Sequence, residues 1–251
     1  MTERRIGIRD IPKATVGKIS GEVLMNAIGI EVVDLDNNLT IVKKHLETDS
    51  MILLFNHAKN DFFVWARFIE NNLNSLSNAK ALVAMKYLDP KRGKGSKAFS
   101  LFFPTWKAAF GIDASPIVQR KDHELYPDHK KINTSSVINA RKFLQIPGHV
   151  LAFSPEGTRS LTGEIGEAEE GTELILKLKQ GAIILPVAAE FPIGSDLKLY
   201  RNKTALKIHV GKPYSYEEIK AESEQTGKNI PELAMRRIAN LLPEQNHGFY
   251  R

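Results

Sequence analysis

A mainly apolar run followed directly by a polar turn occupies residues 149–160, HVLAFSPEGTRS. The first five residues, HVLAF, have the composition of a short strand that is buried on both faces, as in parallel sheets. The polar residues SPEGTRS begin where this strand ends. In open α/β sheets, ligands bind beyond the carboxyl ends of the strands, so the turn at residues 154–160 is a candidate functional site.

The rest of the chain alternates strand-like runs with longer helical stretches. Strands are predicted at residues 51–56, 79–88, 116–120, 149–153, 182–190 and 205–210. Helices are predicted near residues 61–75, 97–110, 134–146, 171–180 and 230–242. This alternation favours an α/β fold with a mostly parallel central sheet flanked by helices on both faces. A single domain covering residues 1–251 is expected, with a frayed tail after Pro243.

Composition narrows the class of protein. The 35 basic and 29 acidic side chains give a net charge of +6, which favours anionic partners. The absence of cysteine excludes disulfides, thiolate chemistry and Cys-ligated zinc. No apolar stretch reaches the length of about 18 residues that spans a membrane, and the N-terminus lacks the apolar core of a signal peptide. The expected location is the cytoplasm or the cytoplasmic face of a membrane.

A second polar cluster, residues 56–61, follows the apolar run MILLF. In a parallel sheet it would lie at the same edge as the turn at residues 154–160. His57 and Asp61 are a candidate acid–base pair, because a carboxylate fixes the tautomer of an imidazole and stabilises its charged form. Alternatively, His57 caps the next helix and Asp61 interacts with the N-terminal end of the helix dipole.

The turn at residues 154–160 contains four candidate substrate-binding residues. Glu156 can accept a hydrogen bond or orient another group, and Gly157 lets the backbone approach a ligand. Thr158 can donate a hydrogen bond, and Arg159 can bind an oxyanion or phosphate with its forked guanidinium. The same residues also fit a Pro-Glu-Gly turn followed by a surface arginine.

Four segments, in this order and at these separations, resemble the sequence blocks of the glycerolipid acyltransferase family, which includes glycerol-3-phosphate and lysophosphatidic acid acyltransferases. They are FNHAKND (55–61), PIVQR (116–120), FSPEGTRS (153–160) and QGAIILPVAAEF (180–191). The segment HVGKPYS at residues 209–215 resembles the closing strand of the family. The resemblance covers residues 50–213.

This resemblance implies an acyltransferase that moves a fatty acyl group from acyl-coenzyme A or acyl carrier protein to a hydroxyl acceptor, without a metal or other cofactor. The implied acceptor is glycerol-3-phosphate or lysophosphatidic acid, in phospholipid synthesis. His57 would act as general base and Asp61 would orient it. Arg120 and Arg159 match positions associated with the acceptor phosphate, and Glu156 and Gly157 match the block that shapes the acceptor site.

Two departures from the family pattern leave alternatives open. The family block is His-x4-Asp, whereas Asp61 lies one residue closer to His57 and Phe62 occupies the expected position. A catalytically silent homologue that binds lipid or thioester is one alternative. The second departure is an acidic run after the arginine turn, comprising Glu164, Glu167, Glu169, Glu170 and Glu173. Such a run usually forms a solvated face, but if it lined the pocket the acceptor would be a sugar, an amine or another neutral alcohol.

Other sequence patterns bear on membrane, nucleic-acid and metal binding and on esterase activity. The aromatic stretch at residues 97–110 follows a basic loop and fits either a membrane surface or a buried core helix. A nucleic-acid-binding module is disfavoured because the lysines are scattered and do not form a stripe with the aromatic residues. An esterase is disfavoured because no Gly-x-Ser-x-Gly elbow occurs. His123 and His129 fit no common metal site and are expected in a surface loop.

Overall fold

The computed structural model describes residues 29–57, 62–73, 78–89, 113–191 and 206–251. These residues form a seven-stranded sheet with the strand order β1-β7-β6-β2-β5-β3-β4. The strands are β1 (Ile30–Val33), β2 (Met51–Phe55), β3 (Ala79–Ala84), β4 (Asp113–Ile117), β5 (Val150–Phe153), β6 (Ile183–Ala189) and β7 (Leu206–Val210). Only the β6–β7 pair is antiparallel among the described strands. The prediction of an α/β fold with a mostly parallel sheet is confirmed.

Helices connect and cover the strands. They are α1 (Asn38–Leu46), α2 (Phe62–Leu73), α3 (Met85–Leu88), α4 (His129–Phe143), α5 (Thr172–Leu176), α6 (Tyr216–Thr226) and α7 (Ile230–Ala239). Short 3-10 helices lie at Arg120–Leu125, Glu244–Asn246 and Gly248–Tyr250. The helix predicted at residues 97–110 lies outside the described residues. Among the helices described, none has the length and apolar character needed to cross a bilayer.

Strand β2 lies between β6 and β5 and carries the centre of the hydrophobic core. Met51 and Leu53 belong to one buried cluster, together with side chains of α1 and α2. Ile52 and Leu54 belong to a second cluster, with side chains of α4, α5 and α7. Each such side chain contributes about 1.5–3 kcal/mol when it is fully buried. Strand β2 is therefore a rigid base for the residues that follow it.

The tail after Pro243 is ordered, so the prediction that it is frayed is wrong. Asn246 is only 1% exposed, and its side-chain amide donates hydrogen bonds to the carbonyl oxygens of Gly163 and Phe191, at 3.0 Å each. Tyr250 is 4% exposed and packs in the second cluster. These long-range contacts order a segment whose own sequence has no strong helical pattern.

Tyr214 gives a prediction about stability. It is buried, and its hydroxyl has no hydrogen-bond partner among the described residues. Because an unsatisfied buried hydroxyl costs about 1–3 kcal/mol, Tyr214→Phe should raise the free energy of unfolding by about 1 kcal/mol in urea titrations. A fall in that free energy would show that the hydroxyl contributes a stabilising contact.

The same residue makes stability sensitive to alkaline pH. Burial raises the pKa of Tyr214, and burial also raises the pKa of Tyr250 to about 12. Below pH ~10 both phenols keep their protons in the folded and the unfolded chain, so the free energy of unfolding has its full value. Above that pH the unfolded chain loses protons first, and stability falls as the pH rises toward 12. We expect a shallower fall for Tyr214→Phe, measured by urea unfolding between pH 9 and 11.

Candidate active site

The two polar clusters predicted from the sequence meet at one edge of the sheet. Strands β2 and β5 are parallel neighbours, and Leu54 lies opposite Phe153 in their register. The residues that follow each strand therefore emerge side by side. A hydrogen bond from the Ser160 N–H to the carbonyl oxygen of His57, at 2.8 Å, joins the two clusters directly.

Glu156 links His57 to the loop that follows the arginine turn. Its side chain is buried, at 3% exposure. One carboxylate oxygen accepts the N–H of His57 at 2.7 Å, and the other accepts the N–H of Gly166 at 2.8 Å. A buried carboxylate requires such donors, and hydrogen bonds to an ionised group are stronger than neutral ones. Glu156 therefore fixes the backbone at His57, a role that the sequence pattern did not specify.

Gly157 allows the turn to form. Its φ of +61° lies in the left-handed region, which favours glycine. A Cβ at this position would lie 2.6 Å from Cγ of Glu169, so the space beside the turn is already filled. The Glu169 N–H also donates to the carbonyl oxygen of Pro155 at 2.8 Å. The acidic segment thus folds back onto the turn that carries Thr158 and Arg159.

Arg159 is oriented by Tyr87, the third residue of α3. The guanidinium donates a hydrogen bond to the Tyr87 hydroxyl at 2.5 Å, and its central carbon lies 4.7 Å from the ring centroid. Stacking on an aromatic face is a favoured geometry for arginine. One contact uses only one of the five N–H donors, so the others are available to an anion. Sequence reasoning missed Tyr87, which lies within a run that was predicted to continue as a strand.

Arg120 begins the 3-10 helix that follows β4. Its side chain is 80% exposed, and one guanidinium nitrogen lies 3.5 Å from a carboxylate oxygen of Glu170. An exposed pair of this kind contributes about 0–1 kcal/mol and breaks easily. Arg120 can therefore leave Glu170 to bind an anionic ligand.

A cavity of about 1020 Å³ lies at this edge of the sheet. The predicted site residues on its wall are His57, Arg120, Glu156, Gly157, Thr158 and Arg159. Asp61, the predicted partner of His57, lies outside the described residues. The wall also has an apolar part, to which Phe55, Trp65, Ile69, Ala81 and Val83 contribute. The cavity therefore combines a candidate base, two cations and an apolar surface.

The acidic run divides between the cavity and the surface beside it. Glu167 and Glu170 are exposed, as expected for a solvated face, but together with Glu169 they also line the cavity. Glu164 instead pairs with Arg251, and Glu173 accepts a hydrogen bond from the Tyr216 hydroxyl. The acidic residues are therefore close enough to influence which ligand enters.

His123 and His129 lie near the same cavity. Their rings are stacked, with centroids 3.8 Å apart and planes at 8°. His123 contributes to the cavity wall. Across the described residues, no group of three or more His, Asp or Glu side chains is arranged to hold a metal ion.

Several solved structures are similar in fold to this chain. No protein-family model matches the sequence, and no curated protein matches it. A crystal structure of the 1-acyl-sn-glycerophosphate (LPA) acyltransferase PlsC from Thermotoga maritima is similar, with a TM-score of 0.46 and 13% sequence identity. The match covers 91% of this chain and 79% of that chain.

Proposed function

We propose that this chain is an acyltransferase that moves a fatty acyl group from a thioester to a hydroxyl acceptor, with His57 as the general base. One observation carries the proposal: His57 and the arginine turn line the same cavity. They do so although His57 and Glu156 are 99 positions apart in the sequence. The sheet and its two hydrophobic clusters support an acyltransferase-like fold with helices on both faces. We also propose that residues 1–251 form a single domain.

The proposed reaction needs a base and donors for an oxyanion. His57 removes the proton from the acceptor hydroxyl, and the oxygen attacks the thioester carbonyl. The resulting oxyanion requires hydrogen-bond donors, and the Thr158 hydroxyl is a donor on the cavity wall. The carbon–sulfur bond then breaks, and the leaving thiolate takes the proton from His57. Asp61 orients His57 in this scheme.

The apolar wall fits the acyl group of the donor. Trp65 stacks on Phe55 with ring centroids 4.7 Å apart, both residues line the cavity, and the Phe55 ring lies 6.5 Å from that of His57. Burying an alkyl chain there is favourable by about 0.8 kcal/mol per methylene. Acyl-coenzyme A and acyl carrier protein are both proposed donors. Action at the cytoplasmic face of a membrane is proposed because a lipid acceptor would reside there.

Two classes of acceptor are supported by different residues. Arg120 and Arg159 favour glycerol-3-phosphate or lysophosphatidic acid, because a guanidinium binds phosphate through two parallel hydrogen bonds. The same wall also carries three carboxylates, those of Glu167, Glu169 and Glu170. These would repel a phosphate and would favour a sugar, an amine or a neutral alcohol. A phosphate acceptor is our first candidate and a non-phosphate acceptor the second.

A thiol-release assay tests the proposal. The chain contains no cysteine, so free thiol formed from the donor can be measured without background from the protein. Purified protein should release thiol from long-chain acyl-coenzyme A or acyl carrier protein only when an acceptor is present. The acceptor panel should contain glycerol-3-phosphate, lysophosphatidic acid, a monoacylglycerol, a sugar and an amino alcohol. Donor binding without release for every acceptor would contradict the proposal and select the catalytically silent homologue.

Charge variants separate the two acceptor classes. For a phosphate acceptor, Glu170→Gln should raise kcat/KM by about 2- to 5-fold, because it removes a like charge and releases Arg120. Glu224→Gln is the matched control, since Glu224 pairs with Lys220 on α6 and is not part of the cavity wall. A fall in kcat/KM with a non-phosphate acceptor, seen only for Glu170→Gln, would select the second candidate.

A further inference from the structure

We propose that the segment Asn246–Arg251 is a positioning element of the active site. It fixes the loop at residues 163–169, this loop fixes Glu156, and Glu156 fixes the backbone of His57. The statement about catalysis rests on the proposed function, whereas the structural link does not.

The first contacts join the segment to Gly163 and Ile165 of the loop. The Ile165 N–H donates to the carbonyl oxygen of Asn246 at 2.9 Å, and the Phe249 N–H donates to the carbonyl oxygen of Ile165 at 3.0 Å. Asn246 also holds the carbonyl oxygen of Gly163 through its side chain. Ile165 is therefore held by the segment through both its N–H and its carbonyl oxygen.

A second contact is made by Tyr250. The Ala168 N–H donates to the Tyr250 hydroxyl oxygen at 2.9 Å. The ring is buried and lies against the guanidinium of Arg236, 5.7 Å from the ring centroid. The loop is therefore held at Ile165 and at Ala168, on either side of Gly166.

Gly248 permits this close approach. A Cβ at Gly248 would lie 2.2 Å from the carbonyl oxygen of Ile165, which is far inside van der Waals contact. Because the obstructing atom belongs to the backbone, a side chain there could be accommodated only by moving the segment or the loop. The segment and the loop can therefore lie this close together only because residue 248 has no side chain.

Gly166 carries the link to the site. Its N–H donates to one oxygen of Glu156, and the other oxygen accepts the N–H of His57. Moving the loop would lengthen the first bond and displace the carboxylate that accepts the N–H of His57. The hydrogen bond that sets the position of the His57 backbone would then weaken, although neither Tyr250 nor Gly248 is part of the cavity wall.

Tyr250→Phe tests the link, with Tyr216→Phe as the matched control. Both variants remove one hydroxyl, but the Tyr216 hydroxyl donates its hydrogen bond to Glu173, which lies outside the loop at residues 163–169. We expect amide hydrogen exchange at Gly166 and His57 to rise about 5-fold in Tyr250→Phe and to stay unchanged in Tyr216→Phe. Exchange at Leu53 in the core should be unchanged in both, because the fold as a whole is not loosened.

Gly248→Ala provides a second test with its own control. Gly227 also has a positive φ, 70° against 54° at Gly248, but no atom lies within 4 Å of its Cβ position. Gly227→Ala therefore reproduces the backbone strain without pushing on the loop. Only Gly248→Ala should raise exchange at Gly166 and His57.

Activity provides the functional half of the test. Tyr250→Phe should lower kcat by about 3- to 10-fold with KM for the acyl donor nearly unchanged, since the base is displaced and the donor wall is not. Unchanged exchange at Gly166 and His57 in both Tyr250→Phe and Gly248→Ala would overturn the link. Raised exchange in a protein that transfers no acyl group would keep the link and reject the proposed function.

Discussion

His57→Ala is expected to lower kcat for acyl transfer by about 10²- to 10⁴-fold while leaving the fold intact. That is the range for removal of a general base, because the acceptor hydroxyl then has no group to take its proton. The side chain is only partly buried, so its removal leaves the buried clusters of the sheet untouched. The measurement is acceptor-dependent thiol release, combined with urea unfolding to show equal folding.

A matched histidine variant controls for this result. His209 lies on β7, pairs with Glu190 and is not part of the cavity wall. His209→Ala should keep activity within about 2-fold. Full activity in His57→Ala would remove His57 from the role of base. If His57→Ala is inactive but Asp61→Asn keeps full activity, another group orients the imidazole.

Glu156→Gln is expected to lower both stability and turnover. Glutamine retains one acceptor oxygen but presents an NH₂ donor to the second backbone N–H, so one buried N–H loses its acceptor. Such a loss costs about 1–3 kcal/mol, measured as the free energy of unfolding in urea. Because one of the two N–H groups belongs to His57, we also expect kcat to fall by at least about 10-fold.

Glu218→Gln is the appropriate control for this carboxylate. Glu218 also accepts a backbone N–H, from Ser215, but in the capping box of α6 and not beside the cavity. Because glutamine can still accept the Ser215 N–H, this variant should cost less than about 1 kcal/mol of stability and leave kcat unchanged. If Glu156→Gln lost stability but kept the kcat of the folded protein, Glu156 would support only the fold.

The strands nearest the site could be predicted closely from the sequence. β2 and β5 are short apolar runs that end at polar turns, and their predicted bounds differ from the structure by one residue at one end. β3 was predicted to extend to Leu88, but the strand ends at Ala84 and α3 follows. The residues MKYL are as apolar as the strand before them, so hydrophobicity gave no sign of the change.

β1 and α1 were not predicted, and α6 and the order of the tail were missed for different reasons. α6 has a polar sequence in which only Ile219 is buried, so its apolar period is weak. Its capping box at Ser215 and Glu218 and the glycine that ends it, Gly227, are local signals that could have revealed it. The order of the tail could not be found this way, because Asn246 bonds to Gly163 and Phe191, which are 83 and 55 positions away.

The candidate site was predictable in its location but not in its contacts. The rule that parallel strands present their carboxyl ends at one edge was enough to bring His57 and Glu156 together. That Glu156 would bind a backbone N–H, and that Tyr87 would orient Arg159, depends on side-chain packing between distant segments. No spacing along the chain encodes such contacts.

The most direct test is to follow an isotopically labelled acyl chain from the thioester to its product by mass spectrometry. The account predicts labelled acyl ester on the acceptor hydroxyl, in an amount equal to the thiol released, and loss of both in His57→Ala. Labelled free fatty acid with no acylated acceptor would show hydrolysis of the thioester and would contradict transfer as the function of this cavity.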